Sequence, residues 1–391
     1  MLAFCAPHCA QSKPKIEQHG EFNSAQIGMD LAAPIRGRSS QEGQMTAFAS
    51  CRHVPMRPIL VPAVAALALV STVPARAQSD LKVSLNAPYD GSNAAFFLAE
   101  AKGYYAAEGL KVTFDPSGGS GEAVTRIGSG TYDFGFGDVN VLMEFNARNP
   151  ANAGKAVYML YYRSPLSVGS FAKSAIAKPG DLNGKRMGGA LSDGAYKLFP
   201  AYAKLASIDA PSIKWQFGDL RLREALLLKG DVDAILGFDS TMYFNFVRQG
   251  VAPADIKFLY YSDAGLNIYG NAILASKRMV DSNPVAVRGF VAATAKGWRD
   301  AVADPAAAVA ALKKRSSLVD EKLETSKLEW LIKNQLRSAE SSVDGLGGVR
   351  ADRLAQSLAT VGAAFELPRT PDPADVFTAE FLPDAVSRKL P

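Results

Sequence analysis

The chain has 391 residues, of which 48% are hydrophobic and 21% are charged, and its formal net charge at pH 7 is +5. Both signs of charge are spread along it, so it lacks the concentrated basic face that nucleic-acid binding requires. All cysteines and histidines precede residue 78, which excludes a disulfide, a Ser-His-Asp triad, a Cys nucleophile and a His- or Cys-ligated metal site after that point.

Residues 56–77 have the layout of a secretory signal peptide. Arg57 provides a short basic start, residues 59–73 are largely apolar, and the Ala-Arg-Ala run at 75–77 is a cleavage pattern. We therefore interpret residues 1–77 as leader and signal peptide. We expect translation to start at Met45 or Met56 and the mature chain to be periplasmic. That mature chain is too long for one comfortable core, which favours two lobes.

Strands alternate with helices along the mature chain. The first group of predicted strands covers 81–86, 111–116, 132–138 and 155–162. A second group covers 167–172, a short strand ending near 191, 212–217, 231–238 and 255–261, and a further strand covers 267–276. Alternation at this spacing indicates α/β units with mainly parallel sheets.

A strongly amphipathic helix follows Pro284, which suits a first helical turn. Val287, Phe290, Val291, Thr294, Trp298 and Val302 recur at steps of three and four residues. Residues 305–368 read as further helices, and the Pro-rich end is expected to wrap the surface.

Polar loops with small residues follow most of the predicted strands. In open parallel sheets, ligands bind beyond the carboxyl ends of the strands, where helix starts offer free N–H groups and glycines allow close approach. The candidate ligand-binding residues are Tyr89, Ser117, Gly118, Gly119, Ser120, Asp138, Asn140, Ser192, Asp193, Tyr196 and Asp239. The competing interpretation is helix capping, because Ser120, Asp138, Ser192 and Asp239 are all good N-cap types.

The chemistry of these loops favours binding over reaction. The run SGGSGE at 117–122 lacks the Gly-Lys-Ser/Thr ending of a nucleotide loop. Tyrosines near strand ends can hold a flat or apolar ligand, although ordinary packing would also explain them. Asp138, Asp193 and Asp239 disfavour a strongly anionic ligand, and no pair of carboxylates stands out as a general acid and base. We predict no cofactor.

Five segments in order resemble the solute-binding proteins of ABC importers in the nitrate/taurine/alkanesulfonate and thiamine-pyrimidine-precursor superfamily. They are FFLAEAKGYYAAEGLKVTF, IGSGTYDFGFGD, KPGDLNGKRMGG, LLLKGDVDAILGF and NPVAVRGFVAATAKGWRDAVADP. The resemblance covers about residues 80–305. It implies a two-lobed periplasmic-binding-protein-like (type II) fold with two crossovers, in which lobe one comprises 80–164 plus 266–391 and lobe two comprises 165–265.

The resemblance also implies a function and partners. The chain would be a monomer that closes on a small molecule and delivers it to a permease whose ATPase is a separate subunit. The family's ligand loops correspond to Tyr89, 117–120, 138–140, 192–193 and Asp239. The cysteine-rich motif and histidine of a relative that makes a thiamine pyrimidine are absent from the mature chain, so that chemistry does not transfer.

We therefore predict an extracytoplasmic, non-enzymatic solute-binding protein. Tyrosines and carboxylates favour a neutral or weakly cationic heteroaromatic ligand such as a pyrimidine, with sulfonates second. The alternative is a non-hydrolytic lyase on the same two-lobed fold, which would need an acid or base from Asp138, Asp193, Asp239 or a tyrosine.

Overall fold

The structure, a computed structural model, describes residues 78–220, 222–368 and 370–391. The predicted signal peptide, its cleavage site and the candidate starts Met45 and Met56 lie outside the described residues. The described residues fall within one compact unit.

Ten strands form two separate five-stranded sheets. They are β1 Ser79–Ser84, β2 Leu110–Asp115, β3 Phe134–Asp138, β4 Lys155–Met159, β5 Leu166–Phe171, β6 Arg186–Gly189, β7 Lys214–Phe217, β8 Ala234–Phe238, β9 Ile256–Tyr260 and β10 Asn271–Ala275. The order is β2-β1-β3-β10-β4 in the first sheet and β7-β6-β8-β5-β9 in the second. The predicted two-lobed α/β fold is confirmed. We call the first sheet with its helices lobe one and the second sheet with its helices lobe two; the exact lobe boundaries remain a prediction.

One strand in each sheet runs against its neighbours. In lobe one β10 pairs antiparallel with β3 and β4, and in lobe two β5 pairs antiparallel with β8 and β9. Each is the first strand after the chain passes from one sheet to the other. Such a strand enters its sheet at the edge where the other strands end, so it must run in the opposite direction.

The two passages between the sheets are hydrogen-bonded to each other. The first joins β4 to β5 and the second joins β9 to β10. The amide of Gly270 donates to the carbonyl of Tyr161 at 2.9 Å, and the amide of Tyr161 donates to the carbonyl of Asn271 at 2.9 Å. The paired crossovers therefore form a two-stranded connection about which the lobes can rotate.

The helices cover the faces of both sheets. They are α1 Ala94–Ala101, α2 Tyr104–Ala107, α3 Ser120–Gly128, α4 Val139–Arg148, α5 Gly194–Leu205, α6 Arg223–Lys229, α7 Asp239–Arg248, α8 Lys277–Ser282, α9 Pro284–Ala303, α10 Pro305–Arg315, α11 Glu321–Leu331, α12 Ala339–Asp344, α13 Ala351–Ala364 and α14 Pro373–Val376. A π-helical turn at Ile332–Leu336 follows α11. Among the described residues, no helix is long and apolar enough to cross a membrane.

The core of lobe one is built on the predicted amphipathic helix, α9. Its Phe290 stacks on Phe134 with ring centroids 4.2 Å apart, and Trp298 meets Phe96 edge to face at 6.0 Å. Gly297 allows α9 to approach α1, because a Cβ there would lie 2.7 Å from the carbonyl oxygen of Ala95. The predicted inward face is buried except for Val302, which is half-buried.

The C-terminal segment adds to this core as well as covering it. Phe377 pairs with Ala156 of β4 through an isolated bridge, and Gly347 pairs with Met159. Phe377 and Phe381 are both buried. The Pro-rich end thus completes the edge of the first sheet, in addition to wrapping the surface as predicted.

Candidate functional site

The glycine-rich run before α3 lies directly against lobe two. The amide of Gly121 donates to the carbonyl of Ser192 at 2.8 Å, and the Ser192 hydroxyl donates to the carbonyl of Gly118. Gly119 has a φ of +133°, and a Cβ there would lie 2.5 Å from the Ser192 carbonyl oxygen. Only glycine suits this backbone conformation and so short a distance to the Ser192 carbonyl. The glycine-rich run is therefore a contact between the two lobes.

The lobes also meet on the other side, between α7 and the segment from α11 to the π-helical turn. Tyr243 stacks on Trp330 with ring centroids 5.1 Å apart. Gln335 Nε2 donates to Asp239 Oδ1 at 3.3 Å. Because the lobes touch on both sides of the space between them, the structure shows the closed arrangement.

A cavity of about 420 Å³ lies between the lobes, within the size range of small-molecule sites. It lies beyond the carboxyl ends of β1 and β8, where the strand-end rule places ligands. Its lining is Asn86, Ala87, Pro88, Tyr89, Asp90, Ser92, Gly119, Ser120, Asp193, Leu220, Arg223, Glu224, Phe238, Thr241, Asn245, Arg248, Gln249, Glu324 and Lys327.

A buried ion pair forms the lobe-one wall. Lys327 Nζ of α11 lies 2.5 Å from Asp90 Oδ2, and the two side chains are 3% and 13% exposed. Asp90 Oδ1 accepts from the amide and the hydroxyl of Ser92 at 2.9 and 2.5 Å. Glu324 Oε2 accepts from the Gly91 amide at 2.8 Å. These contacts join the loop after β1 to a helix more than two hundred residues later.

A second buried ionic cluster forms the lobe-two wall. Arg223 Nη1 lies 2.7 Å from Asp193 Oδ2, and Arg223 Nη2 lies 3.0 Å from Glu224 Oε1. Arg223 also donates to the carbonyl of Leu236 at 3.1 Å. Burial raises the pKa of the Asp193 carboxyl, and Arg223 opposes that shift. Removing one member of the cluster would leave a buried charge uncompensated, so its members depend on one another.

Carboxylates outnumber cations around the cavity. Its charged lining is Asp90, Asp193, Glu224 and Glu324 against Arg223, Arg248 and Lys327. Arg248 lies near the rim, where its Nη1 is 3.8 Å from Glu324 Oε1 across the lobes. In the part of the chain that the structure describes, no group of three or more His, Cys, Asp or Glu side chains is arranged to hold a metal.

Four of the predicted ligand-binding residues line this cavity: Tyr89, Gly119, Ser120 and Asp193. The Tyr89 hydroxyl donates to the Phe114 carbonyl at 2.8 Å, and its ring meets Phe97 edge to face with centroids 5.3 Å apart. Asp193 also caps α5 by accepting from the Ala195 amide at 2.9 Å. Asp193 therefore both caps α5 and lines the cavity.

The other predicted residues lie nearby and support the loops or the lobe contact. Ser117 donates to the Leu85 carbonyl at 2.5 Å, and Gly118 and Ser192 form the lobe contact described above. Asp138 Oδ1 accepts from the amide of Asn140 at 2.8 Å, and Asn140 Nδ2 donates to the Tyr269 carbonyl at 2.7 Å. Asp138 and Asn140 thus fix the start of α4.

Tyr196 and Asp239 likewise lie outside the lining. Tyr196 packs edge to face on Trp215 and Phe217, with centroids 5.2 and 4.9 Å away. Asp239 accepts from the Ser240 amide at 2.6 Å at the start of α7 and from Gln335 across the lobes. Burial raises the pKa of the Asp239 carboxyl to about 6.

Several lining residues were not among the candidates: Asp90, Arg223, Glu224, Asn245, Arg248, Glu324 and Lys327. Arg223 and Glu224 are adjacent in sequence, at the start of a short amphipathic helix, where charges ordinarily face solvent. Glu324 and Lys327 belong to a distant C-terminal helix. The strand-end rule selects the loop at 87–92, which follows β1 directly and contains Asp90, although only Tyr89 of that loop was named as a candidate.

Asp138 makes the stability of the protein sensitive to pH. Complete burial raises its carboxyl pKa from 3.8 to about 6, with Asp193 of the other lobe adding to the shift. The folded chain therefore binds a proton at the Asp138 carboxyl more tightly than the unfolded chain does. The stability that the protonated Asp138 contributes is present below pH 3.8 and is lost as the pH rises through about 6.

We expect Asp138→Asn, which keeps the capping oxygen, to reduce this dependence. Relative to the parent, its free energy of unfolding should rise by about 2–3 kcal/mol between pH 4 and pH 7.5. Chemical denaturation at four pH values measures this, with the exposed Asp281→Asn as control. A variant that follows the parent at every pH would contradict the assignment.

Comparisons with known proteins place this closed, two-lobed arrangement in a family. The family model described as NMT1/THI5 like matches residues 91–308, more than half of the chain. The chain belongs to the NMT1/THI5-like family. The family match confirms the resemblance drawn from the five segments, and a ligand-binding component of an ABC-type import system is among the proteins whose solved structures have the same fold.

One curated relative is the riboflavin-binding protein RibY of Chloroflexus aurantiacus. It is 30% identical to this NMT1/THI5-like chain over 219 residues, which are 54% of the chain and 59% of RibY. The match thus spans about 59% of the length of that relative.

Two solved structures show the same fold. The alkanesulfonate-binding protein SsuA of Xanthomonas axonopodis pv. citri has a TM-score of 0.61 at 16% identity, covering 78% of the chain and 99% of SsuA. The periplasmic nitrate-binding protein NrtA of Synechocystis PCC 6803 has a TM-score of 0.57 at 12% identity, covering 78% and 87%. All three of these relatives are named as binding proteins. At such identities the two structures establish the fold of the NMT1/THI5-like chain.

Proposed function

We propose that this protein is the extracytoplasmic solute-binding subunit of an ABC importer. It closes its two lobes on a small organic molecule, and the importer's permease reads the closed form. The single observation that carries the proposal is the cavity of about 420 Å³ enclosed between lobes that touch on both sides. A ligand that contacts both walls shifts the population toward closure, because it binds the closed form better.

The favoured solute is a heteroaromatic compound, pyrimidine-like or related. Tyr89 and Phe238 line the cavity and offer ring faces or edges to a flat ligand. The excess of carboxylates in the lining suits a neutral or weakly cationic solute. The riboflavin-binding relative supports this choice, since riboflavin is itself a heteroaromatic compound with a fused pyrimidine ring.

Sulfonates come second because the cavity's cations are engaged by carboxylates. Lys327 pairs with Asp90, and Arg223 pairs with Asp193 and Glu224. A sulfonate would have to compete with these buried carboxylates for the same donors. The fold relatives that bind alkanesulfonate or nitrate share less than 20% of their residues with this chain, so their ligands do not determine this one.

Release of an unchanged solute separates binding from the lyase alternative. Of the carboxylates that could act as an acid or base, Asp138 and Asp239 lie outside the lining, and Asp193 is held by Arg223. A binding protein returns the solute intact after denaturation, whereas a lyase yields a product.

The proposed import further requires a separate permease and ATPase, periplasmic location through the predicted signal peptide, and a monomer that presents both lobes.

The test is a ligand-shifted melting experiment with the mature chain, residues 78–391. Riboflavin, 4-amino-5-hydroxymethyl-2-methylpyrimidine, taurine and ethanesulfonate are each added at about one hundred times their dissociation constant or to their solubility limit. A bound ligand should raise the melting temperature by about 4 °C. We expect protection by a heteroaromatic compound. Protection by sulfonates with none from heteroaromatics would reverse the ligand order.

A further inference from the structure

Two buried carboxylates occupy equivalent places in the two lobes, and the opposite lobe covers each of them. Asp138 ends β3 and precedes α4 in lobe one, and Asp239 follows β8 and begins α7 in lobe two. They are 0% and 3% exposed. Each accepts a backbone hydrogen bond at the start of its helix, from the Asn140 amide at 2.8 Å and from the Ser240 amide at 2.6 Å. Both lie outside the cavity lining, so a role other than solute contact is open to them.

Asp138 is covered by the start of α5 in lobe two. A Cβ on Gly194, the first residue of α5, would lie 3.6 Å from Asp138 Cβ. Asp193, which precedes Gly194, is the charged group that acts on Asp138 from lobe two, and it carries the same charge. The groups beside Asp138 in lobe one, Ser120 of α3 and Asn271 of β10, are uncharged. Asp138 Oδ2 has no hydrogen-bond partner among the described residues, so closure disfavours a negative charge there.

Asp239 is covered by the π-helical turn of lobe one. Gln335 Nε2 of that turn lies 3.3 Å from Asp239 Oδ1 and 3.4 Å from Oδ2. The titratable groups that face Asp239 from its own side are Arg163 and Tyr161 of the first crossover and Tyr260 of β9. The Arg163 guanidinium lies over the Tyr260 ring, 5.4 Å from its centroid. Asp239 is therefore buried beside a cation that is itself directed at an aromatic ring.

Separation of the lobes would return water to both carboxylates, because the groups that cover them belong to the opposite lobe. Burial raises the pKa of the Asp138 carboxyl to about 6, and Asp193 adds to that shift. Burial also raises the pKa of the Asp239 carboxyl to about 6, although the Ser240 amide and Arg163 oppose the shift. Asp193 differs from both, because Arg223 of its own lobe lies 2.7 Å away and neutralises it.

We propose that closing of the lobes takes up protons at Asp138 and Asp239, so that the protein binds its solute more tightly in acid than at neutral pH. The proposal rests on the proposed solute-binding function and adds a regulation of the same site. The closed form binds these protons more tightly than the open form does, so acid favours closure. The effect is lost as the pH rises through about 6.

The size of the effect follows from the same linkage. A solvated aspartate has a pKa of about 3.9, which is the value expected for both carboxylates when the lobes are apart. Each carboxylate then increases the equilibrium constant for closure about tenfold between pH 7.5 and pH 5. The two together give about a hundredfold, and solute affinity changes by the same factor wherever the open form predominates without solute.

The double variant Asp138→Asn, Asp239→Asn tests the proposal through a gain of affinity. Asparagine has the shape of a protonated aspartate and keeps the oxygen that accepts at the helix start. We expect the double variant to bind riboflavin about a hundredfold more tightly than the parent at pH 7.5, with an affinity that no longer changes down to pH 5. Each single variant should give about tenfold. Riboflavin has no group that titrates in this range, and the exposed Asp281→Asn should follow the parent.

A calorimetric measurement on the parent needs no variant, so it holds even where the double variant fails to fold. Riboflavin binding at pH 6 is measured in phosphate and in Bis-Tris at equal ionic strength, because these buffers differ in ionisation enthalpy. The difference should report uptake of about one proton for each riboflavin bound. Binding that takes up no proton and has equal affinity at pH 5 and pH 7.5 would overturn the inference and leave the solute-binding function standing.

X-ray scattering of the solute-free mature chain decides the matter if riboflavin does not bind. The radius of gyration of the parent should be smaller at pH 5 than at pH 7.5, because protonation alone shifts the population toward closure. Compaction in acid would support the inference and remove only the riboflavin probe. Equal radii at the two pH values, together with no riboflavin binding, would overturn the inference.

Discussion

Arg223→Met is expected to lower the free energy of unfolding by about 3–5 kcal/mol, the usual cost of leaving buried charges unpaired. Arg223 is 2% exposed and is the cation that neutralises both Asp193 and Glu224. Methionine fills a similar volume, so the loss reports the charges more than a cavity. Denaturant unfolding monitored by tryptophan fluorescence measures the change.

Two further variants establish the reason for that loss. Arg186→Met removes an exposed ion pair with Asp233 in the same lobe and should change stability little. Arg223→Lys keeps the charge but cannot form the two-sided contact of a guanidinium, so it should fall between the parent and Arg223→Met. The account fails if Arg223→Met unfolds at the same denaturant concentration as Arg186→Met.

Gly119→Ala is expected to weaken solute binding at least about a hundredfold, because it combines backbone strain with a block to closure. A φ of +133° strains any other residue, and the new Cβ would lie 2.5 Å from the Ser192 carbonyl of the other lobe. That carbonyl belongs to the backbone and cannot turn aside. Calorimetry with the solute identified in the melting experiment measures the affinity.

Gly121→Ala separates the two contributions. Gly121 lies in α3 without a positive φ, and its Cβ would come within 2.8 Å of the same carbonyl oxygen. It should therefore weaken binding by about tenfold while the stability of lobe one is retained. Gly180→Ala, which meets nothing within 4 Å, is the matched control. Parent-like affinity in both Gly119→Ala and Gly121→Ala would show that closure does not involve this contact.

Sequence patterns predicted the fold because the strands are short, regularly spaced and followed by polar loops. The alternation at 81–86 corresponds to β1, and the predicted strand at 231–238 corresponds to β8, Ala234–Phe238, with shifts at the ends. The reversed strands β5 and β10 were beyond this reasoning. Their direction depends on how the chain passes between the lobes, which no local pattern encodes.

The same reasoning located the loops of the cavity and missed most of its charged side chains. Tyr89, Gly119, Ser120 and Asp193 follow strands directly, so the strand-end rule reached them. The pair Asp90–Lys327 joins residues 237 positions apart, and the sequence contains no local sign of it. Glu224 stands at the start of a short helix, where charges ordinarily face solvent, and its burial is accompanied by the ion pair with Arg223 beside it.

The central claim is that the two lobes close on a solute held in the cavity between them. Small-angle X-ray scattering of the mature chain, with and without saturating solute, tests it most directly. We predict that the radius of gyration decreases when the solute identified in the melting experiment is added to the parent, and that it stays constant for Gly119→Ala. An unchanged scattering curve for a parent that has demonstrably bound its solute would contradict the account.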